Sequence, residues 1–242
     1  MNKIEIVNDK IVNSSILIKD NKLLLKEDTK LSIDLKDSNL SLDIVISDNI
    51  SVEILEFGIS TDLNITYTIG KNSNLILNRF YLNSNLKTDI LQKEGSTLNN
   101  SYSCISLNNN KYQIDINSKK DTICNINNHG INLKDNLEFI VNGIIGKNDT
   151  NVTTNQNSAI ILFDNSKGKI LPNFIIDNND VIANHSSYVG EFKEKEIFYL
   201  ESRGIEESVC YKMLARAFLI GHMNLEYEEI DKILKILDDF WR

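Results

Sequence analysis

The chain has 242 residues and a formal net charge of −8, a length that suits one large domain with its own core, with or without an appendage. An acidic balance argues against nucleic acid as the main partner, because neutralising phosphates needs a basic surface. No run approaches the roughly 18 apolar residues of a membrane span, and Met1 to Ile6 has neither the apolar stretch nor the small-residue cleavage site of a secretory leader.

Up to about residue 190, short apolar runs alternate with polar residues at period two. Leu40/Leu42/Ile44/Ile46, Ile50/Val52/Ile54, Leu63/Ile65/Tyr67/Ile69 and Tyr112/Ile114/Ile116 are examples. Alternation places one set of side chains on one face, as in a half-buried strand. Asn, Asp, Ser and Lys interrupt the runs at roughly the spacing of an all-β protein. One proline and ten glycines are few for a protein of tight hairpins. Asparagine stands at the breaks instead; it tolerates the left-handed conformation and suits the corners of a coil. The pattern by itself leaves a solenoid and a sandwich open.

After residue 190 the period becomes helical. The spacing predicts a short helix over 193–202, stopped by Gly204, with Arg203 near its C-terminal dipole. It predicts a second helix over 205–221, with Val209, Met213, Ala217 and Ile220 on one stripe and Cys210, Leu214, Phe218 and Gly221 beside it. A third begins near Asn224 as N-cap and turns Ile230, Ile233, Leu234, Leu237 and Trp241 to one face. Residues 1–190 thus read as a β body and 191–242 as a helical domain.

Phosphate-binding loops, dinucleotide fingerprints, nucleophile elbows, HExxH zinc motifs and CxxC pairs are all missing. The reading is therefore of a chain that is not itself an enzyme. Cys104, Cys124 and Cys210 are too few and too scattered for a disulfide framework, which fits a reducing, cytoplasmic setting; packing is the expected role of each. His129 and His222 read as structural, His129 in a turn before Gly130 and His222 at a helix C-terminus that favours an imidazolium. His185, in a polar run after the strand-like Phe174–Ile176, reads as an accessible histidine at a β edge or turn. Spacing alone favours simple bonding to its neighbours over ligation of iron or zinc, although imidazole is suited to both metals.

Three segments add a resemblance. Pro172-Asn173-Phe174-Ile175-Ile176 is similar to the P-x-(L/I)-x-I strand of the SufB/SufD family. Asp180-Val181-Ile182-Ala183-Asn184-His185-Ser186-Ser187-Tyr188-Val189-Gly190 resembles its DV-x-x-(S/N)-H-x-A-T-V-G segment. Ile197-Phe198-Tyr199-Leu200-Glu201-Ser202-Arg203-Gly204-Ile205 resembles its (L/I)-FYL-x-SRG-(I/L) motif. Weaker likeness extends upstream through Asn155-Gln156-Asn157 and Asn128-His129-Gly130 to about residue 60.

The resemblance implies a mainly β fold, a right-handed parallel β-helix (solenoid) followed by a small C-terminal α-helical domain. It implies a non-catalytic scaffold of the SUF iron–sulfur cluster assembly system that pairs with a SufB-like chain through the β-helix. It also implies binding of a SufC-like ABC ATPase through the helical end, where Phe198, Tyr199 and Arg203 are the candidate contacts. The implied cluster-assembly and metal-ligating residue is His185, with a nascent iron–sulfur cluster held transiently in the complex and none bound tightly by this chain alone. SufB-type chains carry a cysteine near Asn157 and an acid near Ser186, so the resemblance points to the SufD branch. The alternative is a homodimeric β-solenoid without a cluster role.

Overall fold

The computed structural model describes residues 2–240, and side chains to Asp238. Seventeen strands come first: β1 (Asn2–Val7), β2 (Lys10–Ser14), β3 (Ile18–Lys19), β4 (Lys22–Leu25), β5 (Thr29–Lys36), β6 (Asn39–Ile46), β7 (Ser51–Ile59), β8 (Asp62–Ile69), β9 (Asn74–Leu82), β10 (Asn85–Gln92), β11 (Thr97–Ser106), β12 (Asn110–Ser118), β13 (Ile123–Asn132), β14 (Asn136–Ile145), β15 (Val152–Leu162), β16 (Lys167–Ile176) and β17 (Val181–Gly190). Three helices follow: α1 (Glu194–Glu201), α2 (Glu207–Ile220) and α3 (Tyr227–Phe240). From β4 onward, successive strands alternate between two sheets. Neighbours within each sheet are parallel from β1/β5 and β4/β6 to the last coil. This is the expected solenoid: each coil lays one strand on each sheet.

Coils repeat at 23 residues in the first half and lengthen to 26, 30 and 29 later. The sharp corners fall on residues that tolerate the left-handed region. Asn49, Asn72, Gly95, Asp121 and Asn151 occupy one corner in successive coils, each at positive φ. Each donates its backbone N–H to a carbonyl of the next coil. The asparagines at the breaks thus do what the sequence reading expected of them. Side-chain amides also stack between coils. Asn125 bonds Asn99, Asn155 bonds Asn125 and Asn184 bonds Asn155, at 3.0, 3.0 and 3.1 Å.

Inward side chains line up in columns along the stack. One column, followed by strand register, runs Leu31, Ile54, Leu77, Asn100, Ile126, Gln156, His185. A second runs Ile33, Glu56, Arg79, Tyr102, Asn128, Ser158, Ser187. Most inward positions are apolar, and the interior is one continuous cluster. At its centre, however, lies a buried ion pair. Glu56 and Arg79 are both fully enclosed and meet at 2.8 Å. The tyrosine hydroxyls of Tyr67 and Tyr81 donate to the same carboxylate, and Arg79 also donates to Thr88. Burial, reinforced by the adjacent carboxylate, pushes both phenols well above their usual range, so they stay protonated donors.

The helices lie on the outer face of the odd-numbered sheet. Ala215, Leu219, Ile233 and Leu237 bury against Phe57, Phe80, Ile105, Ile131 and Ile161. The buried side of α2 is therefore Cys210, Ala215 and Leu219, whereas Val209 and Met213 of the expected stripe are exposed. The stripe shifts because the sheet together with α3 sets which face is covered. Helix α3 starts at Tyr227, after Asn224; the Glu229 carboxylate accepts the Glu226 N–H at 2.7 Å, and the Asn224 carbonyl accepts from Asn78 instead. Trp241 lies outside the described residues.

The buried pair gives a direct test. Arg79→Met leaves the Glu56 carboxylate enclosed without its counter-charge and is expected to cost about 3–5 kcal/mol. Adding Glu56→Gln removes both charges and keeps an oxygen for the tyrosine hydroxyls, so the double variant should recover a large part of that loss. Urea unfolding of parent, single and double variants measures the coupling.

Candidate functional site

The stack of coils stops at β16 and β17, which are the end strands of the two sheets. Among the described residues nothing pairs with their outer edges, so the last coil offers two rows of free backbone groups. The opposite end is different: there β2 and β3 fold back antiparallel on β1 and β4. Pro172, the sole proline, sits in end strand β16, where its missing N–H costs no ladder bond inside a sheet. Apolar side chains are left open on this last coil, Ile175 at 60% and Ile182 at 62% exposure among them.

His185 belongs to this open coil. It continues an inward column directly after Gln156. Its ring lies 5.7 Å from that of Phe174, which comes from the opposing sheet. The imidazole therefore stands at the mouth of the solenoid interior, between the two terminal strands, and it is exposed. The expectation of an accessible histidine at a β edge holds in this geometry. On the outer face, Asn157 and Ser186 are register partners joined by a 2.7 Å hydrogen bond. These are the positions at which the resemblance sets a cysteine and an acid in SufB-type chains. Here they satisfy each other, and His185 is the one imidazole at this end.

The family described as "SUF system FeS cluster assembly, SufBD core domain" matches residues 64–218. The chain belongs to the SufBD core family. The match spans the solenoid from β8 to the end of β17 and continues through α1 into α2. The iron–sulfur cluster assembly protein SufD of Bacillus subtilis is 31% identical over 110 residues, covering 44% of this chain and 25% of that protein. An iron–sulfur cluster assembly SufBD family protein of Mycobacterium tuberculosis is 33% identical over 63 residues, 26% of this chain and 16% of the relative. One from Pyrococcus horikoshii is 27% identical over 82 residues, 32% and 18% of the two chains. The chain thus matches a quarter or less of the length of each of these relatives.

In this SufBD chain the other sequence candidates fall elsewhere. Phe198 and Tyr199 on α1 are 71% and 55% exposed, and the Arg203 guanidinium lies 4.6 Å over the Tyr199 ring. Tyr199 and Arg203 thus pair on the surface, with Phe198 exposed beside them on α1. Cys104 and Cys124 are buried inward-facing residues whose thiols burial pushes up to about 12, so they stay protonated and inert. Cys210, on α2, is buried. Among the described residues no three or more His, Cys, Asp or Glu side chains converge as a ready metal site. No described helix is long and apolar enough to cross a membrane.

His129 is not in a turn. It sits within β13 and faces the C-terminal end of α2. Gly130 beside it serves packing: a Cβ there would meet Leu137 and Phe139 at 2.7 Å. The His129 ring stacks on Phe218 at 4.4 Å and lies 3.9 Å from His222. Its Nδ1 is 2.6 Å from the Phe218 carbonyl, which can only accept, so Nδ1 carries the proton. Ser103 donates to the Leu219 carbonyl and Ser101 to the His222 carbonyl. Side chains of β11 and β13 thus take up carbonyls around the end of α2 that the helix leaves open. His222 is not held as an imidazolium: burial and the neighbouring His129 bring its pKa down to about 4, and burial also lowers His129.

That pair makes the docking of α2 sensitive to acid. Both rings are neutral when folded and bind protons more readily when unfolded, where histidine titrates near 6.5. Stability from this pair is full above that value and falls as pH drops toward about 4, the folded value of His222. The expected loss is on the order of 1–3 kcal/mol. Thermal melts from pH 7.5 to 4 should fall more steeply for the parent than for His129→Phe/His222→Leu; parallel slopes would show that the rings do not titrate with folding.

Proposed function

We propose that this chain is a SufD-like scaffold subunit of the SUF iron–sulfur cluster assembly machinery, and that it works as half of a pair. The observation that carries the reading is the coincidence of the open edges of β16 and β17 with His185 on the same coil. A parallel edge with exposed apolar side chains is a ready template for another strand or body. The SufB-like chain is the expected cover, and it brings the thiolate ligands that this coil lacks. Asn157 and Ser186, bonded to each other, favour the SufD side of such a pair. A neutral imidazole ligates ferrous or ferric iron of a forming cluster, which is cargo and not a resident cofactor.

The helical end is the expected contact for the SufC-type ATPase. Phe198 and Tyr199 are rigid aromatic side chains held out from α1, the kind of anchor that dominates binding surfaces. They are spare with respect to packing, since the core under the helices is built by α2 and α3. The chain itself carries no nucleotide-binding motif, so chemical work would come from that ATPase.

Two variants separate the parts of this proposal. His185→Ala should keep the fold and the pairing but cut iron and sulfide content of the purified complex severely, while His129→Ala and His222→Ala act mainly on stability. Phe198→Ser/Tyr199→Ser should abolish ATPase capture in a pull-down with an unchanged melting curve. A His185→Ala complex that assembles clusters like the parent would remove the cluster role and leave a homodimeric or heteromeric interaction module.

A further inference from the structure

Beneath His185 lies a side chain to which the resemblance assigns no role. Gln156 is 2% exposed, yet both its Nε2 and its Oε1 lack any hydrogen-bond partner. Leaving one such buried group unpaired costs about 1–3 kcal/mol, so a fully orphaned carboxamide calls for an occupant. The register sets Gln156 one coil below His185 in the same inward column. Gly143 of the facing sheet shows where the amide reaches. A Cβ on Gly143 would stand 3.1 Å from Gln156 Nε2 and 2.8 Å from the Phe174 ring. Phe174 in turn lies 5.7 Å from His185, centroid to centroid. Gln156, Phe174 and His185 therefore share the interior of the last two coils, and the missing side chain at Gly143 leaves room for them.

We propose that Gln156 is a second recognition residue for the metal cargo held at His185. The ligand class is a hydrated divalent first-row transition ion. His185 binds the ion through a ring nitrogen, and the Gln156 carboxamide hydrogen-bonds a water on that ion, donating through Nε2 or accepting through Oε1. An amide suits this position because it serves both roles without adding a charge to the interior of the last two coils, beside the Phe174 ring. The proposal rests on His185 being the cargo-binding histidine. It adds that the ion is steadied from inside the solenoid as well as from the partner's side.

The test uses the full chain with zinc as a diamagnetic probe, read by NMR of the three histidine rings and by calorimetry. In the parent, zinc should shift the His185 ring in a saturable way and leave His129 and His222 in place. His185→Ala should abolish that binding. Gln156→Leu and Gln156→Met, both apolar and compatible with the interior, should bind zinc about 10–100-fold more weakly, the usual effect of losing a group that supports a metal ligand. Gln156→Glu, which keeps an oxygen, should restore binding. If the two apolar variants bind zinc like the parent and merely melt higher, Gln156 holds only an ordinary buried water; the proposal then fails while the role of His185 stands. If zinc leaves the parent's His185 ring unmoved, the proposal fails, while the role of His185 in the pair is judged separately by the iron and sulfide content of the His185→Ala complex.

Discussion

Every coil of this protein satisfies its backbone and its apolar face on the coils above and below it, and on little else. That constraint governs the rest. The chain can turn sharply at the corners because Asn, Asp and one Gly accept positive φ there, and their N–H groups bond across to the next coil. A stack built this way has two ends. One ends on the antiparallel strands β2 and β3; the other ends on the parallel strands β16 and β17, whose outer edges are unpaired among the described residues. The residue that the family resemblance picks out for chemistry lies on this parallel end. Its position follows from the topology as much as from the motif.

The interior carries a gradient of chemistry along the stack. The first coils are filled with Leu and Ile. The Glu56–Arg79 pair and its tyrosines form the middle, and Asn128, Ser158 and Gln156 follow toward the mouth. Register makes this possible, because a position in one coil faces its counterpart in the next, so a polar residue finds a polar neighbour only if the columns stay aligned. Outside, the helices cover the apolar stripe Phe57–Phe80–Ile105–Ile131–Ile161 and are tied down by the Ser101 and Ser103 hydroxyls of β11 and by His129 of β13 at the end of α2. Phe198 and Tyr199 stay free of that packing.

Much of this was legible in the sequence. Period-two alternation marks the strands, asparagine marks the corners, and the Asp180–Gly190 segment marks the edge strand with its histidine. The 23-residue repeat was harder to see, because the later coils lengthen to 26, 30 and 29 residues. Once that repeat is known, Glu56 and Arg79 stand one period apart at inward positions, which would have disclosed the buried pair. Gly130 misled the placement of His129: its purpose is room for Leu137 and Phe139, not a left-handed turn. The stripe of α2 was misjudged because a helix buries whichever face its sheet and neighbouring helix meet, which no helical period specifies. Gln156 stood out only as part of the Asn155-Gln156-Asn157 likeness; that it is buried without a partner is invisible until its neighbours are known.

The central claim is that the last coil is the surface at which this chain meets its partner. Hydrogen exchange reads it directly. On adding a SufB-like chain, backbone amides of β16 and β17 should gain strong protection, while those of β2 and β3 at the far end exchange as before. Protection appearing at β2 and β3 with the last coil unchanged would contradict the account.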